Sequence, residues 1–132
     1  MRVVADSHAI VWYVRGSKRL SERAHEVLAE AEAERSLVVS VATLIDLWYV
    51  SQTTQSVTAE QLRALRDRLG SSEAVVLEPV TAVIAEATTT IPRAAVPDPW
   101  DRLIMATAIA LQVPLVTRDS AVRASGLVET IW

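Results

Sequence analysis

Cysteine is absent from this chain of 132 residues. Its absence excludes disulfide-linked scaffolds, cysteine-based zinc sites, iron–sulfur clusters and thiol enzymes. The 3 glycines are too few for a phosphate-binding glycine-rich loop, and neither a GxGxxG pattern nor a Walker A motif occurs. The GxSxG pattern is also missing, which removes the usual signal of a serine hydrolase.

The chain has little positive charge with which to hold nucleic acid. Its formal net charge is −3, from 13 basic and 16 acidic residues, and Lys18 is the only lysine. Proteins that bind nucleic acid by bulk electrostatic attraction are usually basic. Any contact with RNA or DNA therefore requires a local basic patch, a metal ion or a partner protein.

Long apolar runs are missing as well. Asp6 interrupts the N-terminal run too early for a signal peptide, and the most apolar stretch, residues 37–50, contains Asp46 and is shorter than the ~20 residues of a membrane span. Hydrophobic residues still make up 51% of the chain, enough for a buried core. We expect a soluble, cytoplasmic protein with one domain over residues 1–132 and no membrane partner.

Short apolar runs alternate with helical patterns along the chain. Strands are predicted at residues 2–5, 37–39, 74–77 and 115–117, with an edge strand at 128–132. Helices are predicted at about 8–15, 21–34, 41–51, 59–70, 80–89, 98–112 and 120–125, with Ser7 capping the first and Gly70 ending the fourth. Continuously apolar strands between helices predict an α/β fold, in which a parallel sheet has helices on both faces.

Five aspartates lie where this arrangement would place a functional crevice. Asp6 and Asp119 directly follow predicted strands, Asp98 and Asp101 open a long helix, and Asp46 lies on the helix after the second strand. In an open parallel sheet, the crevice lies beyond the carboxyl ends of the strands. The sequence therefore predicts an acidic site at that edge of the sheet.

Carboxylates that converge in one place repel each other, so such a cluster usually holds a hard divalent cation. Ligands that are all oxygen atoms favour Mg²⁺ or Mn²⁺. A cation of this kind can activate a water molecule and neutralise a leaving oxygen, as in hydrolysis of a phosphodiester.

Each aspartate also has a simpler structural interpretation. Asp98 is a good helix N-cap, Asp101 suits the positive end of a helix dipole, and Asp119 suits a turn or a cap. Asp6 ends a buried strand and Asp46 lies among large apolar residues, so each of these two needs a partner.

Polar residues near the aspartates could assist such a site. The hydroxyls of Ser7, Ser40, Thr43 and Thr117 could hold waters or orient carboxylates, although Ser7 and Ser40 also suit plain helix caps. Arg102 and Arg118 each neighbour a predicted site aspartate, and each could either bind a phosphate or neutralise that acid.

The histidines and tryptophans allow more than one role. His8 lies two residues after Asp6 and could approach a substrate there, whereas His25 lies on a charged helix and is expected to face solvent. The four tryptophans, at positions 12, 48, 100 and 132, could form a base-stacking platform. Core or interface packing is favoured for Trp12 and Trp48, because both lie in apolar helices.

Four segments together resemble the PIN-domain toxins of bacterial VapBC toxin–antitoxin pairs. They are VVADSHAIVW, SVATLIDLW, DPWDRLIMATA and PLVTRD, and their order and spacing match over essentially the whole chain. The resemblance implies a three-layer α/β/α sandwich with a short-stranded, mainly parallel central sheet. It also implies an endoribonuclease dependent on Mg²⁺ or Mn²⁺, a homodimer, and inhibition by a small VapB-like antitoxin that covers the acidic pocket.

The same resemblance assigns roles to individual residues. It makes Asp6, Asp101 and Asp119 metal-binding acids, adds Asp98 as a further metal-binding acid at the rim of the pocket, and puts the Thr117 hydroxyl beside the metal. The remaining acid of the family is usually a glutamate. Asp46 stands in its place here and is one methylene shorter, which leaves direct ligation by Asp46 open, although we expect it to belong to the catalytic set.

Two other functions remain open from the sequence. A phospho-accepting receiver domain would need an acceptor aspartate after the third strand and a distant lysine, but Glu78 and Pro79 follow that strand and Lys18 is the only lysine. A catalytically weak or inactive PIN-fold binding module is the closer alternative, because Asp46 replaces the usual glutamate. A saturable Mn²⁺ site would separate the enzyme from the inactive module.

Overall fold

Helices and short strands alternate along the chain in the computed structural model, which describes residues 1–132. The strands are β1 (Val3–Ala5), β2 (Leu37–Ser40), β3 (Val75–Glu78), β4 (Leu115–Val116) and β5 (Thr130–Ile131). The helices are α1 (Ser7–Arg15), α2 (Glu22–Ala33), α3 (Val41–Thr53), α4 (Ala59–Ser71), α5 (Ala82–Thr88), α6 (Pro99–Leu111) and α7 (Ser120–Ser125). None of these helices is both long enough and apolar enough to cross a bilayer.

The five strands form one sheet in the order β3-β2-β1-β4-β5, and every neighbouring pair is parallel. β1 lies at the centre, where Val4 pairs with Val38 of β2 and with Leu115 of β4. The predicted parallel sheet is confirmed, and so is its edge strand near the C-terminus.

The central strands bury both of their faces, which explains their continuous apolar sequence. Val3 and Ala5 belong to a core cluster shared with α1, α2 and α4, whereas Val4 belongs to a second cluster shared with α5 and α6. Successive residues of β1 therefore serve opposite layers of helices, as the period of a strand requires. This arrangement is the three-layer α/β/α sandwich that the sequence predicted.

Two helix ends that the sequence prediction assigned to a particular residue differ in the structure. Asp6, not Ser7, caps α1, because Ser7 is already helical and the Asp6 side chain accepts a hydrogen bond from the main chain of the first turn. α4 continues through Gly70 to Ser71, and the chain leaves the helix in an extended conformation at Ser72. Gly70 does not end the helix, because no left-handed residue is needed there.

The prediction that α3 is mostly buried is wrong. α3 packs against α4 on one side of the molecule and against α6 on the other, and its outer face is open. Ile45, Trp48 and Tyr49 are 44%, 50% and 48% exposed, respectively. The ring of Tyr49 stacks on that of Trp100 at the start of α6, with centroids 5.7 Å apart.

Candidate active site

The site lies at the carboxyl ends of β1 and β4. Between these two strands the order of strands in the sheet switches, since β2 and β3 lie on one side of β1, and β4 and β5 on the other. The main-chain N–H of Asp6 donates to the Val116 carbonyl at 3.1 Å, which holds the two strand ends side by side. Asp6 follows β1, and Thr117 and Asp119 follow β4. These residues therefore reach the crevice that open parallel sheets use for their ligands.

Three of the five predicted aspartates line one cavity of about 380 Å³. Asp6, Asp101 and Asp119 share it with Ser7, His8, Trp12, Arg118 and Ser120. Asp46 and Asp98 are not among its lining residues, although both are close enough to influence the titration of Asp101. The structure thus places three of the five acids in the cavity wall and the other two close to it.

Three of the acids are also helix N-caps. Asp6 and Asp119 each accept a hydrogen bond from the main-chain N–H three residues later, at 2.8 and 2.9 Å. Asp98 accepts two such bonds, at 2.9 and 3.0 Å. In each case the acceptor is Oδ1, so capping occupies one carboxylate oxygen and leaves Oδ2 for another partner. The capping and metal-binding interpretations are therefore compatible.

We expect Asp119→Ala to lower the free energy of unfolding by about 1 kcal/mol, because α7 loses its cap. Asp119→Asn should leave stability nearly unchanged, because an asparagine oxygen caps a helix as well as a carboxylate does. Urea unfolding of both variants without metal measures the difference. If both variants lose the same free energy of unfolding, the loss does not come from the helix cap, because Asp119→Asn retains the capping oxygen.

Burial dominates the electrostatics of Asp6. Removal from water raises the pKa of its carboxyl group, while the Thr117 hydroxyl, the Ala9 N–H and the nearby His8 lower it, and the charge of Asp119 raises it further. Thr117 is itself only 1% exposed, and its hydroxyl accepts a hydrogen bond from the Asp119 main chain at 3.0 Å. Thr117 therefore connects the acids that follow the two strands.

The pKa of the Asp101 carboxyl group is strongly raised. Burial raises the pKa of its carboxyl group, and the charges of Asp98, Asp119, Asp46 and Asp6 raise it further, to about 7. Asp101 is the third residue of α6, and its side chain makes no hydrogen bond. The ion pairs of the chain involve glutamates elsewhere, so no basic side chain neutralises any of the five aspartates.

Asp46 has a hydroxyl partner. The Ser7 hydroxyl donates to Asp46 Oδ2 at 2.5 Å, across 39 positions of sequence. Burial raises the pKa of the Asp46 carboxyl group and the charge of Asp98 adds to this, whereas the Ser7 bond opposes it. Ser7 is only 3% exposed, so it holds Asp46 from within the fold. Of the two roles that the sequence left open for Ser7, the structure shows the orienting one.

The donors at this site fit a hard divalent cation by charge and by type. As they stand, no three acidic or histidine side chains form a group close enough to hold a metal ion. The cavity nevertheless offers three carboxylates without a cationic partner, and burial disfavours the ionised forms of two of them, Asp6 and Asp101. A divalent cation would compensate this charge, and Asp6, Asp101 and Asp119 are the residues that would hold it.

Two of the predicted hydroxyl residues do not reach the acids. The Thr43 hydroxyl is buried without any hydrogen-bond partner. Ser40 accepts a hydrogen bond from the Ala42 N–H at 3.1 Å and only caps α3. Both side chains are fully buried, Ser40 at the end of β2 and Thr43 in the first turn of α3, and neither contacts a carboxylate.

Arg102 has a different role from either one that the sequence suggested. Its guanidinium donates to the carbonyls of Val96, Thr88 and Ile91 at 2.9, 2.7 and 2.6 Å. Arg102 therefore neither pairs with Asp101 nor points to a substrate, but fastens the loop between α5 and α6. That loop leads directly into Asp98 and Asp101, so Arg102 acts on the site by positioning its backbone.

One wall of the cavity combines aromatic rings with a positive charge. The Arg118 guanidinium lies 5.6 Å from the centre of the Trp12 ring, and the His8 ring lies 5.4 Å from it. The sequence assigned Trp12 to packing and did not single out Ser120. The i, i+4 spacing of His8 and Trp12 on the helix after Asp6 is the signal that could have placed both rings at this edge.

The PIN domain family matches residues 3–125 of the chain. The chain belongs to the PIN domain family. This PIN domain is similar in structure to VapBC2 from Rickettsia felis bound to promoter DNA, with a TM-score of 0.70, 16% identity, and 99% and 98% of the two chains covered. No curated protein matches its sequence.

Two further solved structures resemble this PIN domain. FitAcB from Neisseria gonorrhoeae has a TM-score of 0.67 and 19% identity, and a toxin–antitoxin complex from Klebsiella pneumoniae has a TM-score of 0.66 and 17% identity. Each comparison covers 98% of this chain and 96% of the other. At these identities the likeness concerns the fold, and the predicted membership of the PIN family is confirmed.

Proposed function

We propose that this PIN domain is the toxin of a toxin–antitoxin pair and acts as a metal-dependent endoribonuclease that hydrolyses RNA phosphodiester bonds. One observation carries the proposal: Asp6, Asp101 and Asp119 share a cavity at the switch point of the sheet and have no cationic partner. PIN domains are generally nucleases that use divalent metals, which agrees with this donor set.

Each side chain has a distinct task in the proposed reaction. Bound Mg²⁺ or Mn²⁺ would supply activation of water and neutralisation of the leaving oxygen. Asp6, Asp101 and Asp119 bind the cation, and Asp46 contributes charge beside them while Ser7 holds its carboxylate in place. Arg118 lines the same cavity and supplies positive charge beside the acids.

We also propose a cognate VapB-like antitoxin, a homodimer and a cytoplasmic location. The structural neighbours are toxin–antitoxin complexes, which supports the first of these partners. An antitoxin that places a basic side chain among the carboxylates would meet complementary charge. The exposed apolar residues of α3, Ile45, Trp48 and Tyr49, support a second copy of the chain as the other partner.

Cleavage of total cellular RNA by the purified, antitoxin-free protein tests the proposed function. With Mg²⁺ or Mn²⁺ we expect discrete cuts, whose ends sequencing will locate, and with a chelator we expect none. Asp6→Asn and Asp101→Asn should each reduce cleavage at least about a hundredfold, because each removes a ligand charge. Asp67→Asn, at an exposed position on α4, is the matched control and should cleave normally. Metal-dependent cuts that persist in both site variants would contradict the assignment.

The inactive binding module is the alternative, and the separation of the acids in this structure is the observation that favours it. Titration with Mn²⁺ decides between the two, because an inactive module should show no saturable site.

We expect Asp46→Asn to weaken Mn²⁺ binding about tenfold, since it removes a charge beside the cation. Asp46→Glu should retain or tighten binding, because the longer side chain keeps the charge and can reach further. Calorimetric titration with Mn²⁺ measures both affinities. An affinity unchanged in both variants would exclude Asp46 from the site.

A further inference from the structure

The cavity that holds the acids has a second wall with a different chemistry. His8, Trp12 and Arg118 line it together with Asp6, Asp101 and Asp119. Its volume of about 380 Å³ lies within the range of small-molecule binding sites. One part of the cavity is therefore suited to a cation, and the other offers rings and a guanidinium.

Trp12 is fixed by its surroundings. Its ring packs against the larger core cluster and meets the Trp132 ring edge-on, with centroids 5.8 Å apart. The ring also contacts His8 one helical turn earlier. A ring held from several sides can act as a preformed surface, so a ligand that stacks there incurs little ordering cost.

Arg118 is the unexpected member of this wall. It neighbours Asp119 in sequence, yet it forms no ion pair and no hydrogen bond within the chain. Its guanidinium instead lies over the Trp12 ring, 5.6 Å from the centroid. A guanidinium held by a ring keeps its N–H donors and its planar face available to a ligand.

We propose that His8, Trp12 and Arg118 form a nucleobase subsite, which binds an unpaired base next to the phosphodiester held at the acids. The inference rests on the proposed function, since it names which part of the RNA this wall contacts. Aromatic rings and guanidinium planes both stack on bases, and such contacts need single-stranded RNA. Trp12 is a positioning residue for Arg118 as well as part of the stacking surface.

A base explains this wall better than a phosphate or a protein side chain does. A phosphate needs positive charge but no aromatic rings, and any carboxylate charge that the cation leaves uncompensated would repel it. A basic side chain from a protein partner would be attracted by the acids but repelled by Arg118. An uncharged planar base is repelled neither by the carboxylates nor by Arg118, and it can contact the rings as well as the guanidinium of this wall.

Binding of three labelled single-stranded decamers with equal charge tests the subsite: oligo(U), oligo(A) and an abasic ribose-phosphate chain. Fluorescence anisotropy is measured with Mg²⁺ in the Asp101→Asn protein, so that no strand is cut. We expect both base-containing decamers to bind about 5- to 100-fold more tightly than the abasic chain. Trp12→Leu and Arg118→Gln, each added to this background, should remove most of that difference.

Matched variants separate the subsite from general effects. Trp12→Phe keeps a ring and should retain most of the preference for bases. Arg123→Gln removes a charge from α7 outside the cavity and should leave the preference unchanged. Thermal unfolding of every variant confirms that it is folded. When Trp12→Leu or Arg118→Gln is made in the protein that retains Asp101, the substitution should raise KM for RNA more than it lowers kcat.

Several results would overturn the subsite. One is equal binding of abasic and base-containing decamers, which would indicate attraction to the backbone alone. Another is a preference for bases that survives both Trp12→Leu and Arg118→Gln, which would place base binding elsewhere. A third is an effect of these substitutions on antitoxin binding alone, which would make this wall a protein contact. RNA cleavage without base preference would refute only the subsite, and base preference without cleavage would refute only the nuclease.

Discussion

Asp101→Asn is expected to make the metal-free protein more stable near neutral pH while it removes a ligand of the proposed metal. The pKa of the Asp101 carboxyl group is raised from 3.8 to about 7 in the folded chain, so the unfolded chain loses this proton at lower pH than the folded chain does. The contribution of Asp101 to stability is therefore fully present below about pH 4 and is lost as the pH rises to about 7.

The expected gain is about 1–2 kcal/mol near pH 7.5, which corresponds to a rise in Tm of several degrees. The full pKa shift would imply about 4 kcal/mol, but the side chain is partly exposed and water screens the repulsion. The lost attraction of a carboxylate to the N-terminus of α6 reduces the gain further.

Thermal unfolding with a chelator, at about pH 4 and pH 7.5, measures this effect. The gain should be present at the higher pH and nearly absent at the lower one. Mn²⁺ should stabilise the wild-type protein at the higher pH much more than the variant. A gain of equal size at both pH values would mean that repulsion among the carboxylates is not its cause.

Arg102→Ala is expected to cost about 3 kcal/mol of stability, the largest single loss that we anticipate outside the apolar core. Three main-chain carbonyls accept hydrogen bonds from this guanidinium, and the substitution leaves all three without that partner. Arg102→Lys should recover less than half of the loss, because one ammonium cannot reproduce the planar arrangement of donors.

Urea unfolding measures both Arg102 variants, with Arg93→Ala as the control on an exposed arginine of the same loop. Cleavage assays below the unfolding transition add a second measurement. We expect kcat to fall with little change in the affinity for RNA, since Arg102 positions Asp98 and Asp101 and does not contact substrate. A specific loss of RNA affinity would instead support the phosphate-binding role that the sequence left open.

The architecture could be predicted from the sequence because it depends on local patterns. The continuously apolar strands required burial on both faces, and short connections left a parallel sheet with helices on either side as the consistent arrangement. Asp6 and Asp119 could be placed at one edge because Asp6 directly follows β1 and Asp119 comes three residues after the end of β4, and the direction of a parallel strand fixes which end it occupies.

The rest of the site depends on contacts between distant residues, which no local pattern encodes. Ser7 and Asp46 meet across 39 positions, and Arg102 reaches back to Thr88 across the loop. Both contacts arise only when α3 and α6 pack beside the sheet. Trp12 packs against the core, as the sequence favoured, and the same residue also lines the cavity, which an apolar helix pattern alone does not show.

The double use of the acids has a consequence for how related sequences would diverge. In a lineage that lost the proposed nuclease activity, positions 6, 98 and 119 would still need a side chain that starts a helix, so drift would lead there to asparagine, serine or threonine. Asp46 and Asp101 cap no helix and carry raised pKa values, so selection for stability would replace them freely. An acid retained at position 101 would therefore indicate selection for catalysis, whereas an acid could persist at position 6 after that selection had ended.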